Sequence, residues 1–401
     1  MSVTPGVRPL DVRHAITDVG RRGRLWYLVL GAGLGIGVVA FGYQWWNGLG
    51  VTGLSNTISW GMYIITFMFL VGVSAGGLIV VAGSELVGSR RFEPLTKLAV
   101  IVSGTAIAAA ALSILPDLGR PQLAWKMLWQ PHWTSPLIWD VLVITLYLSI
   151  AVIDLWILTR PEPRPGAMRT LAFIALPAAV LVHSVTAWIF GLLVARPFWN
   201  TALLAPMFVS SALVSGTALL ILVAEVVDRT SDWDPPDRVF PDLGKLMIWF
   251  LGVDAFLLFA EILTTYASRV PDHVKQLNVL LLGRLAPVFW VEVILGVVVP
   301  FAIYASRLRQ QRRWVVIAAA LALLGVFFKR INIVMTSMFL PLVGLAPGIP
   351  GGRPGQGFRP DPIYVPTAIE WGILIGVASF VALLITLGVR AFVIPRRSAG
   401  G

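Results

Sequence analysis

The chain has no cysteine, only four histidines, and a charged fraction of 13% over 401 residues. Without cysteine there are no disulfides, no thiolate chemistry and no Cys-ligated iron–sulfur cluster; the compartment stays open. A bis-His haem between helices needs two histidines at matching depths, and only His183 lies clearly within an apolar run. No Walker motif, dinucleotide-binding glycine fingerprint or metal-spaced His cluster is present. The chain is therefore expected to carry no haem, no metal and no redox cofactor of its own. What it has in abundance is apolar surface: 57% of residues are hydrophobic and 11% aromatic. A soluble domain of this length cannot cover that much apolar area with polar groups.

Apolar runs at 25–43, 57–83, 98–115, 136–158, 170–195, 206–227, 245–266, 285–306, 314–343 and 365–390 each come near the ~20 residues that cross a bilayer as a helix. The fold class expected is all-α integral membrane. Residues 1–24 are polar and basic, and the first apolar run outlasts a signal core, so no cleavable signal is expected. The net charge of +11 would suggest nucleic acid in a soluble protein. Here the basic residues punctuate the apolar runs, so topology explains them and no nucleic-acid partner is expected. Taken in alternation, one face collects the basic residues of 1–24, Arg90, Arg91, Lys97, Arg160, Arg164, Arg169, Arg229, Arg238, Lys245, Arg307, Arg309, Arg312, Arg313 and Arg390 onward. The other face holds Arg120, Lys126, Arg196, Arg269, Lys275, Arg284, Arg353 and Arg359. The asymmetry places both termini in the cytoplasm of a multi-pass cell-membrane protein.

A duplication is visible. Ala75-Gly76 and Ser215-Gly216 precede Glu85 and Glu225 by the same spacing, and the fourth and eighth runs open with Pro136 and Trp139, and with Pro287 and Trp290. The repeat is four helices long, which predicts two related four-helix bundles about an axis along the membrane normal, with the first and last helices peripheral. The segments expected are a cytoplasmic 1–24, a peripheral first helix with its outer loop at 25–56, bundles at 57–195 and 196–343, and an outer loop, last helix and tail at 344–401.

Ionisable groups within spans mark function or buried ion pairs. The outer half of the first bundle is the densest region. Asn56 lies at the mouth of the second helix, Asp117 and Arg120 follow the third, His132 precedes the fourth, and Trp139 and Asp140 lie inside it. Asp117 and Arg120 read either as a loop ion pair or as part of a site. A quinone needs an apolar slot for its ring, donors for two carbonyls and groups that take protons from quinol. His suits the proton, a neighbouring carboxylate the charge, and Asn or Trp the carbonyl. Deeper lie His183, Asp254, Glu261, Glu292, Lys329 and Arg330. Asp254 and Glu261 are seven residues apart and share a helix face. These groups read as a buried ion pair or as a proton path, whereas Glu85, Asp154 and Glu225 are expected to reach towards the cytoplasmic interface.

Residues 53–63 (GLSNTISWGMY), 69–77 (FLVGVSAGG), 132–140 (HWTSPLIWD) and 195–206 (ARPFWNTALLAP) resemble the NrfD/PsrC family of polysulfide-reductase-like membrane subunits. The resemblance implies a haem-free, quinone-reactive anchor built of two four-helix bundles, with its pocket in the first bundle near the outer face. It implies an extracytoplasmic, ferredoxin-like iron–sulfur partner and often a molybdopterin catalytic subunit. Asn56 and His132 match positions near that pocket, and Asp140 an acidic position of some branches. Where some members carry a His one turn after the Asn, this chain has Trp60, so proton acceptance is expected of His132 or Asp140.

The function expected is quinol (menaquinol or ubiquinol) docking among Asn56, Trp60, Asp117, Arg120, His132, Trp139 and Asp140, with electrons passing to the partner. A proton-coupled secondary transporter shares the repeats and the membrane carboxylates. It lacks support from broken helices, since no span shows a Pro-Gly interruption at matching positions.

Overall fold

A computed structural model describes residues 20–55, 57–160, 165–340 and 363–393. Asn56, Arg164, Arg353 and Arg359 lie outside the described residues, as do Arg8, Arg13, Arg396 and Arg397 near the chain ends. Among the described residues, ten helices are long and apolar enough to cross a membrane. They are α1 (Arg21–Asn47), α2 (Met62–Leu86), α3 (Thr96–Ser113), α4 (Pro136–Leu158), α5 (Pro165–Gly191), α6 (Leu204–Thr230), α7 (Val239–Ala267), α8 (Ala286–Ala305), α9 (Arg312–Met338) and α10 (Ala368–Phe392). The all-helical membrane class expected from the sequence holds. Helix is the form in which each backbone donor finds its acceptor without water.

Differences from the sequence reading cluster at helix ends. α2 starts at Met62, five residues late, because residues 53–61 form a loop held from outside. α3 tightens into a 3-10 turn, Leu115–Leu118, where Pro116 cannot donate to an α-helical ladder. α8 contains a π-helical segment, Glu292–Val298, just ahead of Pro300. A proline lacks the N–H and crowds the carbonyl four residues back, and widening the preceding turn relieves both. An additional amphipathic helix, Pro271–Leu281, fills what reads as a loop and buries Gln276, Leu277 and Leu280. Eleven residues cannot span a bilayer.

α2 and α6 form the centre and are the most deeply buried spans, whereas α1, α7 and α10 present most of their surface outward. The neighbour order is α2 to α3, α3 to α4, α4 to α5 and α5 back to α2. The same order recurs as α6 to α7, α7 to α8, α8 to α9 and α9 back to α6. α1 and α10 pack on each other, and α10 packs on α3.

The closest crossings are made by glycine. A Cβ on Gly76 would lie 2.1 Å from the Ala212 carbonyl oxygen, and one on Gly216 would lie 2.5 Å from the Gly76 nitrogen. Gly296 meets Gly325 between α8 and α9, and Gly37 meets Gly376 between α1 and α10. Lipid tails are as apolar as side chains, so close backbone approach is what holds such helices together.

The basic face is stapled by ion pairs. Arg312 at the start of α9 reaches Glu225 and Asp228 on α6, Arg229 also reaches Glu225, and Asp242 takes Arg91 at 3.4 Å and Lys245 at 2.9 Å. Glu225 is thus buried between helices and does not reach out to the interface. Two arginines compensate its charge there, and an aqueous route is not needed.

Candidate functional site

The face opposite the basic one gathers four chain segments around the start of α2. The turn Leu115–Leu118 closes on Gly119, whose φ of +65° favours glycine, and it sets Asp117 beside α1 and α2. Gln44 of α1 donates through Nε2 to the Pro116 carbonyl at 2.7 Å and accepts from the Tyr63 hydroxyl. Asp117 Oδ1 is buried and has no hydrogen-bond partner among the described residues. A buried polar atom without a partner is costly, so such an atom calls for an explanation.

Just ahead of α2 the chain packs in an aromatic cluster. Trp60 stacks on Trp199 with ring centroids 5.3 Å apart and meets Phe190 edge-on at 5.0 Å. Trp199 is buried and donates its indole N–H to the Ile333 carbonyl at 2.7 Å. Arg196 ties the α5–α6 loop to the end of α9 by donating to the Ser337 and Leu340 carbonyls. Burial pulls its guanidinium pKa below the ordinary arginine value. The approach to α10 also reaches the start of α2. Tyr364 accepts from the Met62 N–H at 2.7 Å and donates to Glu370, and Glu370 accepts from the Gly53 N–H at 2.7 Å.

The structure disperses the other residues expected here. His132 is exposed, with Nδ1 2.9 Å from Thr134 Oγ1. Trp139 faces outward and spends its indole N–H on the Trp133 carbonyl at 2.8 Å. Asp140 is buried on the other side of α4 and accepts from Thr186 Oγ1 at 2.7 Å. Consecutive helical residues point about 100° apart, so neighbours in sequence do not share a pocket. Arg120 is exposed and forms no ion pair with Asp117 among the described residues, so the loop ion pair considered from the sequence is absent.

A second polar group lies deeper. Lys329 Nζ is 2.6 Å from Asp254 Oδ2, and Asp254 Oδ1 accepts from Ser210 at 2.8 Å. Arg330 donates to Ser211 at 2.7 Å and lies over the Phe208 ring at 4.4 Å, so a hydroxyl and a π-face meet it rather than a carboxylate. Glu292, at the first π-helical position, accepts from Asn332 at 2.6 Å and leaves Oε1 unpartnered. Glu261 accepts from Thr201 at 2.8 Å. A small cavity of about 30 Å³ touches Glu261, Thr265, Glu292, Lys329 and Asn332 between otherwise apolar walls. His183 is buried on α5, with Nδ1 2.8 Å from the Ala179 carbonyl and Nε2 unpartnered.

Sequence reasoning missed Gln44, Tyr63, Tyr364 and Glu370. Thr367 and Glu370 have the spacing of a helix capping box, and both of its hydrogen bonds form. That spacing was the one local signal. The long-range bonds to Gly53 and Met62 leave no trace in the sequence pattern. Among the described residues no group of three or more His, Asp or Glu could hold a metal ion.

Residues 50–341 match the family model described as polysulphide reductase, NrfD. A Halobacterium salinarum protein provisionally named as a dimethyl sulfoxide reductase membrane subunit is 36% identical, with 96% of this chain and 94% of the relative aligned. A selenate reductase subunit of Mesobacillus selenatarsenatis is 25% identical, with 92% and 93% aligned. The Hdr-like menaquinol oxidoreductase integral membrane subunit of Archaeoglobus fulgidus is 26% identical, with 87% and 89% aligned. With its ten membrane-crossing helices and a match over most of its length, this chain belongs to the NrfD polysulphide reductase family of integral membrane proteins.

Proposed function

We propose that this chain is the membrane anchor of a multi-subunit oxidoreductase, and that it oxidises or reduces a quinone at the outer end of α2. The observation that carries the reading is the buried, unpartnered Oδ1 of Asp117 close to Tyr63 in the first turn of α2, the helix that Trp60 just precedes. A quinol is an apolar ring with two hydroxyl donors, and it suits an aromatic wall beside a free acceptor. Asn56, in the same loop, supplies an amide that can donate to a quinone carbonyl.

Oxidation of a quinol releases two electrons and two protons. Asp117 accepts a hydroxyl proton, and His132, exposed on the same connection between α3 and α4, passes protons to the outer solution. Arg120 adds positive charge to that loop. Electrons need an acceptor outside this chain, and a ferredoxin-like iron–sulfur subunit on the outer face fills that role, with a molybdopterin subunit beyond it. The names of the selenate reductase and menaquinol oxidoreductase relatives support such a complex. The paired neighbour order of α2–α5 and α6–α9 supports two related bundles, and the basic residues at one face support cytoplasmic termini. Asp254, Glu261, Glu292, Lys329, Arg330 and His183 then form a proton path or half-path in the interior, leading to the small cavity of the second bundle.

The test is quinol oxidation by the assembled complex carrying Asp117→Asn. Turnover should fall about a hundredfold, the lower end of what a positioned acid or base contributes. Unchanged turnover, with a bound quinone analogue undisturbed, would move the site elsewhere.

A further inference from the structure

The loop that carries Asn56 and Trp60 is gripped at both ends by one pair of side chains from the far end of the chain. At its start, the Gly53 N–H donates to Glu370 Oε2 at 2.7 Å. At its end, the Met62 N–H donates to the Tyr364 hydroxyl at 2.7 Å. The two grips are joined, because Tyr364 donates to the other oxygen of Glu370. Glu370 is fully buried, and its Oε2 also accepts from the Thr367 N–H at 2.9 Å. The extended segment 363–367 lies directly on the loop. A Cβ on Gly53 would sit 2.4 Å from the Val365 carbonyl oxygen, and one on Gly61 would sit 2.4 Å from the Tyr364 hydroxyl. Both ends of the loop are therefore glycine because the strap leaves no room for a side chain.

Tyr364 and Glu370 lie outside the 50–341 segment that the family model matches, whereas the loop they hold lies inside it. A helix that only anchored the chain in lipid would have no need of a buried carboxylate with four protein donors. Burying such a charge is costly unless it is fully hydrogen-bonded, and here every bond but the capping ones goes to the loop or to the residue that holds it.

We propose that Tyr364 and Glu370 are positioning residues that fix Gly53 and Met62, and with them the Trp60 ring, for binding of a ring-headed lipid carrier at the outer end of α2. This assignment rests on the quinone reading above. The strap acts on affinity rather than on proton transfer, since neither side chain is the orphaned acceptor.

The experiment uses the whole complex with Tyr364→Phe, which removes the acceptor for Met62 N–H, and with Glu370→Gln, which keeps an acceptor for Gly53 N–H but removes the charge. Quinol KM should rise about tenfold for Tyr364→Phe with kcat changed less than about twofold, and less for Glu370→Gln; a ground-state binding defect gives that split. Amide hydrogen exchange over 52–62 should quicken in step, with α6 and α9 unchanged. Exchange that stays at the wild-type rate, or a quickened loop with an unmoved KM, overturns the assignment. A wild-type complex that turns over no quinol overturns the quinone reading itself, and the exchange arm then reports separately whether the strap holds the loop.

Discussion

Gly76 and Gly216 lie against each other where α2 crosses α6, with room for no atom beyond their own backbones. They precede Glu85 and Glu225 by the same number of residues. The contact joins the two most buried spans, so it sets how the halves of the molecule meet.

Gly216→Val should therefore disrupt the molecule. The new side chain would overlap the Gly76 backbone, which cannot move aside as a flexible side chain could. Overpacking of a tight core costs about 1–3 kcal/mol and more where backbone must shift. Gly35→Ala on α1 is the contrast, since a Cβ there meets nothing within 4 Å. It should be neutral or stabilise by up to about 1 kcal/mol through helix propensity. Thermal unfolding of both variants in detergent checks the pair; equal melting temperatures would show that the α2–α6 contact is not tight.

Removing one partner of Lys329–Asp254 should hurt more than removing both. Lys329→Met alone leaves a buried, uncompensated carboxylate and should cost about 3–5 kcal/mol. Lys329→Met with Asp254→Leu should lie within about 1 kcal/mol of wild type, because two matched apolar groups need no compensation. If the pair also relays protons, the double variant keeps its fold and its electron transfer while losing any proton translocation measured in vesicles. A double variant as unstable as the single one would show that the neighbours, Ser210 among them, are what the pair supports.

Asp140→Asn should leave the complex assembled. The amide oxygen still accepts from Thr186, and the volume is unchanged. The reading centred on Asp117 gives Asp140 no proton to carry, so quinol oxidation should change by less than about twofold, and a loss of about a hundredfold would move the acceptor to Asp140. His132→Ala should change stability by less than about 0.5 kcal/mol, as an exposed side chain with one local partner. Quinol turnover across pH 6–8 separates the two: a role for His132 shows as an altered pH profile, a passive one as none.

Tyr364 makes the strap sensitive to alkali. Burial and the neighbouring Glu370 charge hold its phenol well above the ordinary value of 10.0. The folded state therefore binds this proton more tightly than the unfolded state does. The contribution is whole below pH 10.0 and is lost as pH climbs from there towards the raised folded value. Thermal unfolding between pH 8 and pH 11 should fall more steeply for wild type than for Tyr364→Phe. Parallel curves would mean that the phenol is not buried against a charge.

The spans were legible because their signal is large and local: each is about 20 apolar residues with basic punctuation. The α3–α4 connection was legible in composition but not in geometry. Asp117, Asp140 and His132 were all singled out, yet only Asp117 comes close to Gln44, Tyr63 and the start of α2. Adjacent polar residues on a helix diverge by about 100°, so clustering in sequence overstated clustering in space. Lys329–Asp254 was legible because a buried cation requires an anion at its own depth. Arg330 was not, since a hydroxyl and an aromatic face serve it equally well. The role of Glu370 was hidden for a simpler reason: its partner Gly53 is 317 residues away.

That separation has a consequence for biosynthesis. The ribosome makes Gly53 and Met62 long before it makes Tyr364 and Glu370, so these two bonds form only once the last helix is in place. A chain that stopped short of the last helix would keep the Gly53 and Met62 amides and lose both of their acceptors.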